Sequence, residues 1–125
     1  MHILVVDDCT VTRRLVGRAL RQLGLPQLTI TEAGSGAEAL AAVENGGFDL
    51  VITDHRMPEI TGLEFLRRIR TAGNLIPVGM ITAQDCLSIR TAAHEAGALF
   101  VLGKPITLTA LSSALAPFLG HMSQV

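Results

Sequence analysis

The sequence predicts an α/β protein built on a doubly wound parallel sheet. Short apolar runs alternate with segments of helical period along the chain, and these runs are too short for helices and rich in branched residues. Glycine closes four of the helical segments. Strict alternation of this kind requires right-handed crossovers, which place helices on both faces of a parallel sheet.

Five strands are predicted in this alternation. The first is a buried strand close to the start of the chain, and the second alternates as an edge strand does. The flavodoxin-like strand order 2-1-3-4-5 makes strands one and three neighbours at the point where the order reverses. The predicted strands are His2–Val6, Leu28–Ala33, Leu50–Thr53, Val78–Ile81 and Leu99–Leu102.

Capping residues and apolar spacing define five helices. Thr10 or Thr12 is the predicted cap of the first helix, which ends at Gly24. Ser35 caps the second, and Glu38 stands three residues on to complete a capping box. The apolar positions are Val11, Leu15, Val16, Ala19, Leu20 and Leu23 in the first helix, Leu63, Phe65, Leu66 and Ile69 in the third, Leu87, Ile89, Ala92, Ala93 and Ala96 in the fourth, and Leu108, Leu111, Leu115 and Phe118 in the fifth.

Composition predicts one compact domain over residues 1–125. The hydrophobic content of 49% and the charged content of 17% lie well away from those of disordered chains. A formal net charge of −1 gives no global attraction to nucleic acid or anionic membrane, and the apolar runs are too short to span a bilayer. We therefore expect no direct contact with nucleic acid or membrane. Because Cys9 and Cys86 stand far apart, we also expect a reduced, cytoplasmic protein.

Polar residues follow four of the predicted strands, at the sheet edge where ligands bind in this architecture. Asp7 and Asp8 follow strand one, Asp54 strand three, Thr82 strand four and Lys104 strand five. Three carboxylates therefore converge and repel one another unless a hard divalent cation binds them, which predicts Mg²⁺. A carboxylate can also attack phosphorus when a cation neutralises the transferring group, and the only lysine of the chain is suitably placed for this.

The segments around these residues resemble the receiver domain of response regulators, which act in two-component phosphorelays. The similar segments are Val5–Arg14, Val51–Glu59 with Gly62 beyond it, Thr82-Ala83 and Lys104-Pro105. They extend over nearly the whole chain, occur in order and lie at the corresponding strand ends. This combination is far more specific than any one of the segments.

The resemblance implies a phosphorylation site that uses Mg²⁺ as its cofactor. Asp54 matches the phospho-acceptor and shares the metal with Asp8, a direct ligand, and Asp7, a ligand acting largely through water. Arg56 would complete the metal shell with its backbone carbonyl, and Lys104 would pair with Asp54 and then with its phosphate. Such a domain would be a signalling receiver and not an enzyme acting on other molecules. The reactions that it would catalyse are its own phosphorylation and dephosphorylation.

The resemblance also implies a change of conformation on phosphorylation and a set of partner proteins. Thr82 matches the hydroxyl that turns toward the phosphoryl oxygens, and Lys104-Pro105 matches a bond held cis. The implied partners are a histidine kinase or phosphotransfer protein, docking partly on the first helix, and a downstream target or linked output domain.

Two surfaces carry further expectations. Residues 105–120 carry no charge, so a homodimer through the fourth helix, fifth strand and fifth helix is a further hypothesis. The outward residues of the fifth helix are expected to be Thr109, Ser112, Ser113 and Ala116. Arginines of the first helix, expected on its solvent face, are Arg13, Arg14, Arg18 and Arg21.

One position departs from the family pattern. Three residues before the lysine, where the family usually has Tyr or Phe, stands Val101, and the chain has no tyrosine. Phe100 should face the opposite side, because side chains alternate along a strand. The sequence therefore leaves open a receiver that binds partners regardless of phosphate. A Mg²⁺-dependent aspartyl phosphatase is less favoured, because Cys9 occupies the place of its usual second acid.

Overall fold

The computed structural model describes residues 1–122, in which five strands and five helices alternate. The elements are β1 (His2–Val6), α1 (Thr10–Gln22), β2 (Thr29–Ala33), α2 (Gly36–Asn45), β3 (Leu50–Asp54), α3 (Gly62–Thr71), β4 (Val78–Thr82), α4 (Leu87–Glu95), β5 (Phe100–Gly103) and α5 (Leu108–Met122). Every strand pair is parallel, and the order is β2-β1-β3-β4-β5. The predicted flavodoxin-like fold is confirmed.

Burial distinguishes the central strands from the edge strand. All residues of β3 and β4 are buried, whereas β2 pairs only with β1 and has Ala33 as its one buried residue. Its other four residues are exposed or partly buried and do not alternate strictly. Both β3 and β4 run one residue further than predicted, to Asp54 and Thr82. Asp54 stands opposite Ile81, and Thr82 stands opposite Gly103. Two of the predicted site residues are therefore fixed by the sheet itself.

Helices cover both faces of the sheet. One face packs against α1 and α5, with Ile3, Ile52 and Leu111 in its fully buried core. The other face packs against α2 and α3, where Phe65 and Leu66 are fully buried. A smaller cluster beneath α4 consists of Leu63, Met80, Ala93 and Val101. Two-sided burial explains why the strands are nearly continuous apolar runs.

The start of α1 differs from the prediction. Cys9 is the N-cap residue and makes no side-chain capping hydrogen bond, so neither Thr10 nor Thr12 is the cap. The Asp7 carboxylate instead accepts a hydrogen bond from the Cys9 backbone amide at 2.9 Å, which turns the chain into the helix one residue earlier. The Thr10 hydroxyl is engaged by the Arg13 guanidinium at 3.1 Å.

The predicted cap of α2 is observed with one change. The Ser35 hydroxyl accepts a hydrogen bond from the Glu38 amide at 3.1 Å. The Glu38 carboxylate reaches back to the amide of Gly34 at 2.6 Å, one residue earlier than in a standard capping box.

Several apolar residues predicted from helical spacing are exposed. Val11 is 65% exposed, Leu15 is 52% exposed and Leu87 is 80% exposed. The buried residues of α1 are Val16, Gly17 and Leu20. Periodicity identified the helix correctly, but the apolar stripe of α1 is wider than the surface that the sheet and α5 cover.

The uncharged helix α5 presents the predicted polar face. Thr109, Ser112, Ser113 and Ala116 are all exposed, while Leu111 and Leu115 are fully buried. Within residues 1–122, none of the helices combines the length and the apolar character that a membrane crossing needs.

Phe100 and Val101 lie on opposite faces of β5, as predicted. Val101 packs beneath α4, whereas Phe100 packs on the α1 and α5 side. The ring of Phe100 covers Gly79, its partner in the β4–β5 register, so closely that a Cβ atom at Gly79 would overlap the ring. Glycine is therefore required at this position of β4 by the neighbouring aromatic side chain.

This contact predicts a compensating pair of substitutions. Gly79→Ala should lower the free energy of unfolding by about 2 kcal/mol, because the added methyl overpacks a close-packed interior. Adding Phe100→Leu should recover part of that loss, which makes the two effects non-additive. Gly120→Ala on α5 is a suitable control, because no atom of the described residues lies within 4 Å of a Cβ there. Urea unfolding of the wild type, both single variants, the double variant and the control measures these effects, and strictly additive losses would contradict the assignment.

Candidate functional site

Three carboxylates meet at the carboxyl ends of β1 and β3. Asp7 and Asp8 follow β1, and Asp54 is the last residue of β3. One ligand atom from each of the three lies within 4.8 Å of the others. Asp7 and Asp54 are buried, whereas Asp8 is exposed at the opening. The fold therefore brings together the acids that the sequence placed on neighbouring strands.

Lys104 supplies the positive charge of this cluster. Its Nζ atom donates a hydrogen bond to Asp7 Oδ2 at 2.9 Å and lies 3.2 Å from Asp54 Oδ1. The Lys104 backbone amide donates to the Thr82 carbonyl at 2.9 Å, so the ends of β4 and β5 are tied together beside the acids. The peptide bond between Lys104 and Pro105 is cis, as the resemblance implied.

One lysine does not fully balance the negative charge and the burial of the carboxylates in this cluster. Burial raises the pKa of Asp54, and the Asp7 charge adds to this effect, while Lys104 opposes it without cancelling it. Burial alone would lower the pKa of Lys104, but its hydrogen bond to Asp7 and the charge of Asp54 outweigh burial and raise that pKa. The lysine is therefore charged near neutral pH, and an additional cation would further stabilise the ionised acids.

Thr82 is fully buried at the end of β4. Its hydroxyl oxygen accepts a hydrogen bond from the Gln84 amide at 2.9 Å, so its partner in this structure belongs to the following loop. The side chain lies on the strand next to Asp54, in the layer of strand ends that carries the acids.

The loop after Asp54 passes directly over the strand end. The Gly62 amide donates to the His55 carbonyl at 2.8 Å. A Cβ atom at Gly62 would overlap the carbonyl oxygen of Asp54, so only glycine allows this approach. The Thr53 hydroxyl also donates to the Asp54 carbonyl, at 2.9 Å. The backbone of Asp54 is thus fixed from both sides.

A cavity of about 360 Å³ is lined by the loop that follows Asp54 and by Gln84. Arg56, predicted to offer its backbone carbonyl to a metal, is exposed on the wall of this cavity, with Gln84 and Thr61 also on the wall. His55 contributes to the lining and is 92% buried, being 8% exposed. Burial lowers the pKa of His55, and its Nδ1 atom has no hydrogen-bond partner within the described residues.

The sequence did not identify Arg13 as part of the site. Its guanidinium donates to the Asp7 carbonyl at 2.5 Å and pairs with Glu32 at 2.8 Å, and its side chain is only 16% exposed. The expectation that all four α1 arginines face solvent is therefore wrong for this one. Glu32 could have indicated this contact, because it is an acid near the end of the neighbouring edge strand. Arg13 links the backbone of Asp7 to β2.

The side chains present fit a magnesium ion. Mg²⁺ prefers hard oxygen ligands and retains several waters, and it is typically held by a few carboxylates. Asp7, Asp8 and Asp54 provide such oxygens within one coordination shell's reach of each other. Within residues 1–122 this is the one group of three metal-ligating side chains, and it contains no His or Cys.

Comparison with known proteins identifies the family. The family model described as the response regulator receiver domain matches residues 3–116. The chain belongs to the receiver domain family. The receiver domain accordingly has the CheY-like fold, and the family assignment agrees with the motifs at the strand ends.

Curated chemotaxis proteins are similar along most of this receiver domain. Chemotaxis protein CheY of Pseudomonas aeruginosa is 36% identical over 117 residues, covering 92% of this chain and 93% of that protein. Chemotaxis protein CheY-3 of Vibrio cholerae is 38% identical over 117 residues, covering 92% of this chain and 88% of that protein.

Solved structures share the architecture. A receiver domain protein from Clostridium thermocellum superposes with a TM-score of 0.84 at 27% identity, covering 98% of this chain and 97% of that one. Chemotaxis protein CheY4 of Vibrio cholerae gives a TM-score of 0.81 at 29% identity, covering 93% of this chain and 96% of that one.

The raised pKa of Asp54 predicts a stability effect that depends on pH. In metal-free protein at neutral pH, Asp54→Asn should increase the free energy of unfolding, because the ionised carboxylate is disfavoured in the folded state. The gain should be absent below the ordinary carboxyl value of 3.8, where Asp54 is protonated in both states, and should grow as pH rises through the raised pKa. Urea unfolding in EDTA at a series of pH values measures the difference.

Glu44→Gln provides the control for this experiment. Glu44 is exposed on α2 and forms no ion pair with residues 1–122, so its replacement should change the free energy of unfolding by less than about 0.5 kcal/mol. A loss of stability in Asp54→Asn that deepens with rising pH would contradict the assigned direction.

Proposed function

We propose that this receiver domain accepts a phosphoryl group on Asp54 with Mg²⁺ bound, and that the modification changes its affinity for partner proteins. The observation that carries the proposal is the position of Lys104 Nζ, which lies within 3.2 Å of both buried carboxylates of a three-acid cluster. A single lysine between a prospective nucleophile and a metal ligand is suited to charge neutralisation during phosphoryl transfer.

Asp54 is the proposed nucleophile. One carboxylate oxygen forms a bond to phosphorus while the bond between phosphorus and the donor atom breaks, and the donor keeps the electron pair. The donor is the phospho-imidazole of a histidine kinase or phosphotransfer protein, or a small acyl phosphate. The buried position of Asp54 and the fixed backbone on either side of it hold the attacking oxygen in place.

Asp7, Asp8, Asp54 and the backbone carbonyl of Arg56 are the proposed metal ligands. When bound, Mg²⁺ neutralises negative charge on the phosphoryl oxygens. Lys104 then remains paired with the modified Asp54. Thr82 would exchange its present hydrogen bond with the Gln84 amide for one to a phosphoryl oxygen, with its hydroxyl donating.

Attack of water on phosphorus returns Asp54 to its starting form and releases inorganic phosphate. Arg56 and Gln84, which come two residues after Asp54 and Thr82, stand on the wall of the same cavity. We propose that these two side chains control the access of water and therefore the lifetime of the phosphoryl group.

Docking of the phosphodonor protein is proposed at the groove between α1 and α5. This groove has a volume of about 490 Å³, and its wall includes the exposed residues Leu15 and Leu108 together with Lys104. An apolar surface that leads to the site lysine suits a protein donor. A downstream target or linked output domain would recognise the modified form, and the proposed location is the cytoplasm.

Phosphorylation is tested by intact mass. After incubation with acetyl phosphate and Mg²⁺, the protein should gain about 80 Da. Asp54→Asn should reduce the modified fraction at least about tenfold, since the nucleophile is lost. Asp49→Asn, a change to an exposed acid remote from the cluster, should leave it unaltered. An adduct that forms equally in Asp54→Asn, or no adduct in any protein, would overturn the proposal.

A second candidate is a receiver whose partner binding does not depend on phosphate. Val101 favours it, because an aliphatic side chain packed beneath α4 replaces the usual aromatic residue. The two candidates differ in their response to beryllofluoride, a phosphoryl analogue: partner affinity changes in the first and is unaltered in the second. An aspartyl phosphatase has no comparable support, since exposed Cys9 stands where its second acid is expected.

Self-association is the readout that needs no identified partner. We propose a homodimer through α4, β5 and α5, and we expect beryllofluoride with Mg²⁺ to increase the mass measured by light scattering. Ser113→Arg on the uncharged face of α5 should oppose the increase, because two like charges would meet in a symmetric interface. Thr71→Arg at the end of α3 is the matched control. A monomer at high concentration with and without beryllofluoride would count against the dimer.

A further inference from the structure

A groove on the other side of α1 carries three arginines that form no ion pair within residues 1–122. We call it the arginine groove and define it by Arg14, Arg18 and Arg21 on α1, Gly17 at its floor and Ile30 of β2. Its volume is about 350 Å³. It lies between α1 and the edge strand, whereas the proposed donor groove lies between α1 and α5. Arg18 lines both grooves, while Arg14 and Arg21 line only the arginine groove.

The three arginines form one stripe. Their spacing of four and three residues places them on the same helix face, and all three are exposed. None of the three side chains forms an ion pair or a hydrogen bond with another residue in the described range 1–122. Other arginines of the chain do: Arg13 pairs with Glu32, Arg68 with Glu64 and Arg90 with Asp85.

The charge of this region contrasts with that of the whole chain. Residues 9–31 contain four arginines and no acid, although the formal net charge of the chain is −1. Like charges three and four residues apart weaken a helix slightly. Arg21 in the last turn favours the helix dipole, but Arg14 and Arg18 contribute no such stabilisation to α1, and an anionic ligand would relieve the repulsion.

The floor of the groove indicates which anion fits. Gly17 lies at the floor between a charged and an apolar neighbour: a Cβ there would be in ordinary contact with the Arg21 guanidinium at 3.5 Å and with Ile30 Cδ1 at 3.6 Å. The half-buried Ile30 supplies an apolar strip between the charges. Glu32, which pairs with Arg13, stands at one end of the groove, so the run of unpaired positive charge ends there and suits a short anionic segment. No aromatic residue lines the groove for base stacking.

We propose that the arginine groove is a docking surface for an acidic protein segment that carries an apolar residue between its carboxylates. The acids would pair with the arginine stripe, and the apolar side chain would pack on Ile30. This inference goes beyond the proposed phosphorylation, because the groove contains neither the acids of the site nor Lys104.

The test uses amide chemical shifts of the ¹⁵N-labelled protein. The probe is a synthetic peptide that alternates pairs of glutamates with single leucines, and the same peptide with glutamine for glutamate is its neutral counterpart. We expect saturable shifts confined to α1 and β2 for the acidic peptide only, weakening as salt is raised. Shifts centred elsewhere, or equal binding of the neutral peptide, would overturn the proposal.

Two double variants distinguish binding at the arginine groove from a general effect of positive charge on the protein. Arg14→Gln/Arg21→Gln should weaken peptide binding about two- to thirtyfold, as expected for the loss of two exposed ion pairs. The control Arg67→Gln/Arg68→Gln removes the same number of positive charges from α3 and should change affinity less than about twofold. Similar weakening in both would contradict a specific groove.

The other anionic partners are outcomes of the same titration. Tighter binding of a 20-nucleotide single-stranded DNA, or of vesicles containing anionic phospholipid, at the same amides would overturn the choice of an acidic protein segment. Treatment of Arg14→Gln/Arg21→Gln with acetyl phosphate and Mg²⁺ should still give the mass adduct. Failure of the docking surface is thereby distinguishable from failure of the proposed phosphorylation.

Discussion

The site depends on the ion pairs that the Lys104 ammonium group forms with two carboxylates. Two buried carboxylates, those of Asp7 and Asp54, lie beside it at 2.9 and 3.2 Å. Without that charge their mutual repulsion and their desolvation would act together against the folded state. The lysine only partly compensates, as the raised pKa of Asp54 indicates. The remaining imbalance is what makes the cluster receptive to a divalent cation.

Topology explains how residues so distant in sequence form one cluster. The order β2-β1-β3-β4-β5 places the ends of β1 and β3 side by side, with β4 and β5 following on the same edge. The ladder fixes Asp54 and Thr82, hydrogen bonds fix the turn after β1, and the Lys104 amide is bonded to the Thr82 carbonyl. The backbone thus sets the positions of Asp7 and Asp54, and the Arg13 guanidinium, which donates to the Asp7 carbonyl, supports that of Asp7.

Much of this structure was predictable from sequence, because alternation and strand-end position depend on local patterns. The strands were predicted within one residue, and the strand-end pattern alone predicts that Asp7, Asp54 and Lys104 lie at one edge of the sheet. The failures share a cause. Burial of Val11 depends on what a neighbouring element covers, and the role of Arg13 depends on Glu32 across the sheet. Periodicity contains no information about either contact.

The hydrogen bond between the Lys104 amide and the Thr82 carbonyl has a consequence for engineering. The residue that balances charge and the residue that offers a hydroxyl belong to adjacent strands joined by one short link. A substitution that shifts either loop will displace both groups together. In the proposed switch, the lifetime of the phosphoryl group and the response of Thr82 to it would therefore be linked, and redesign of one would alter the other.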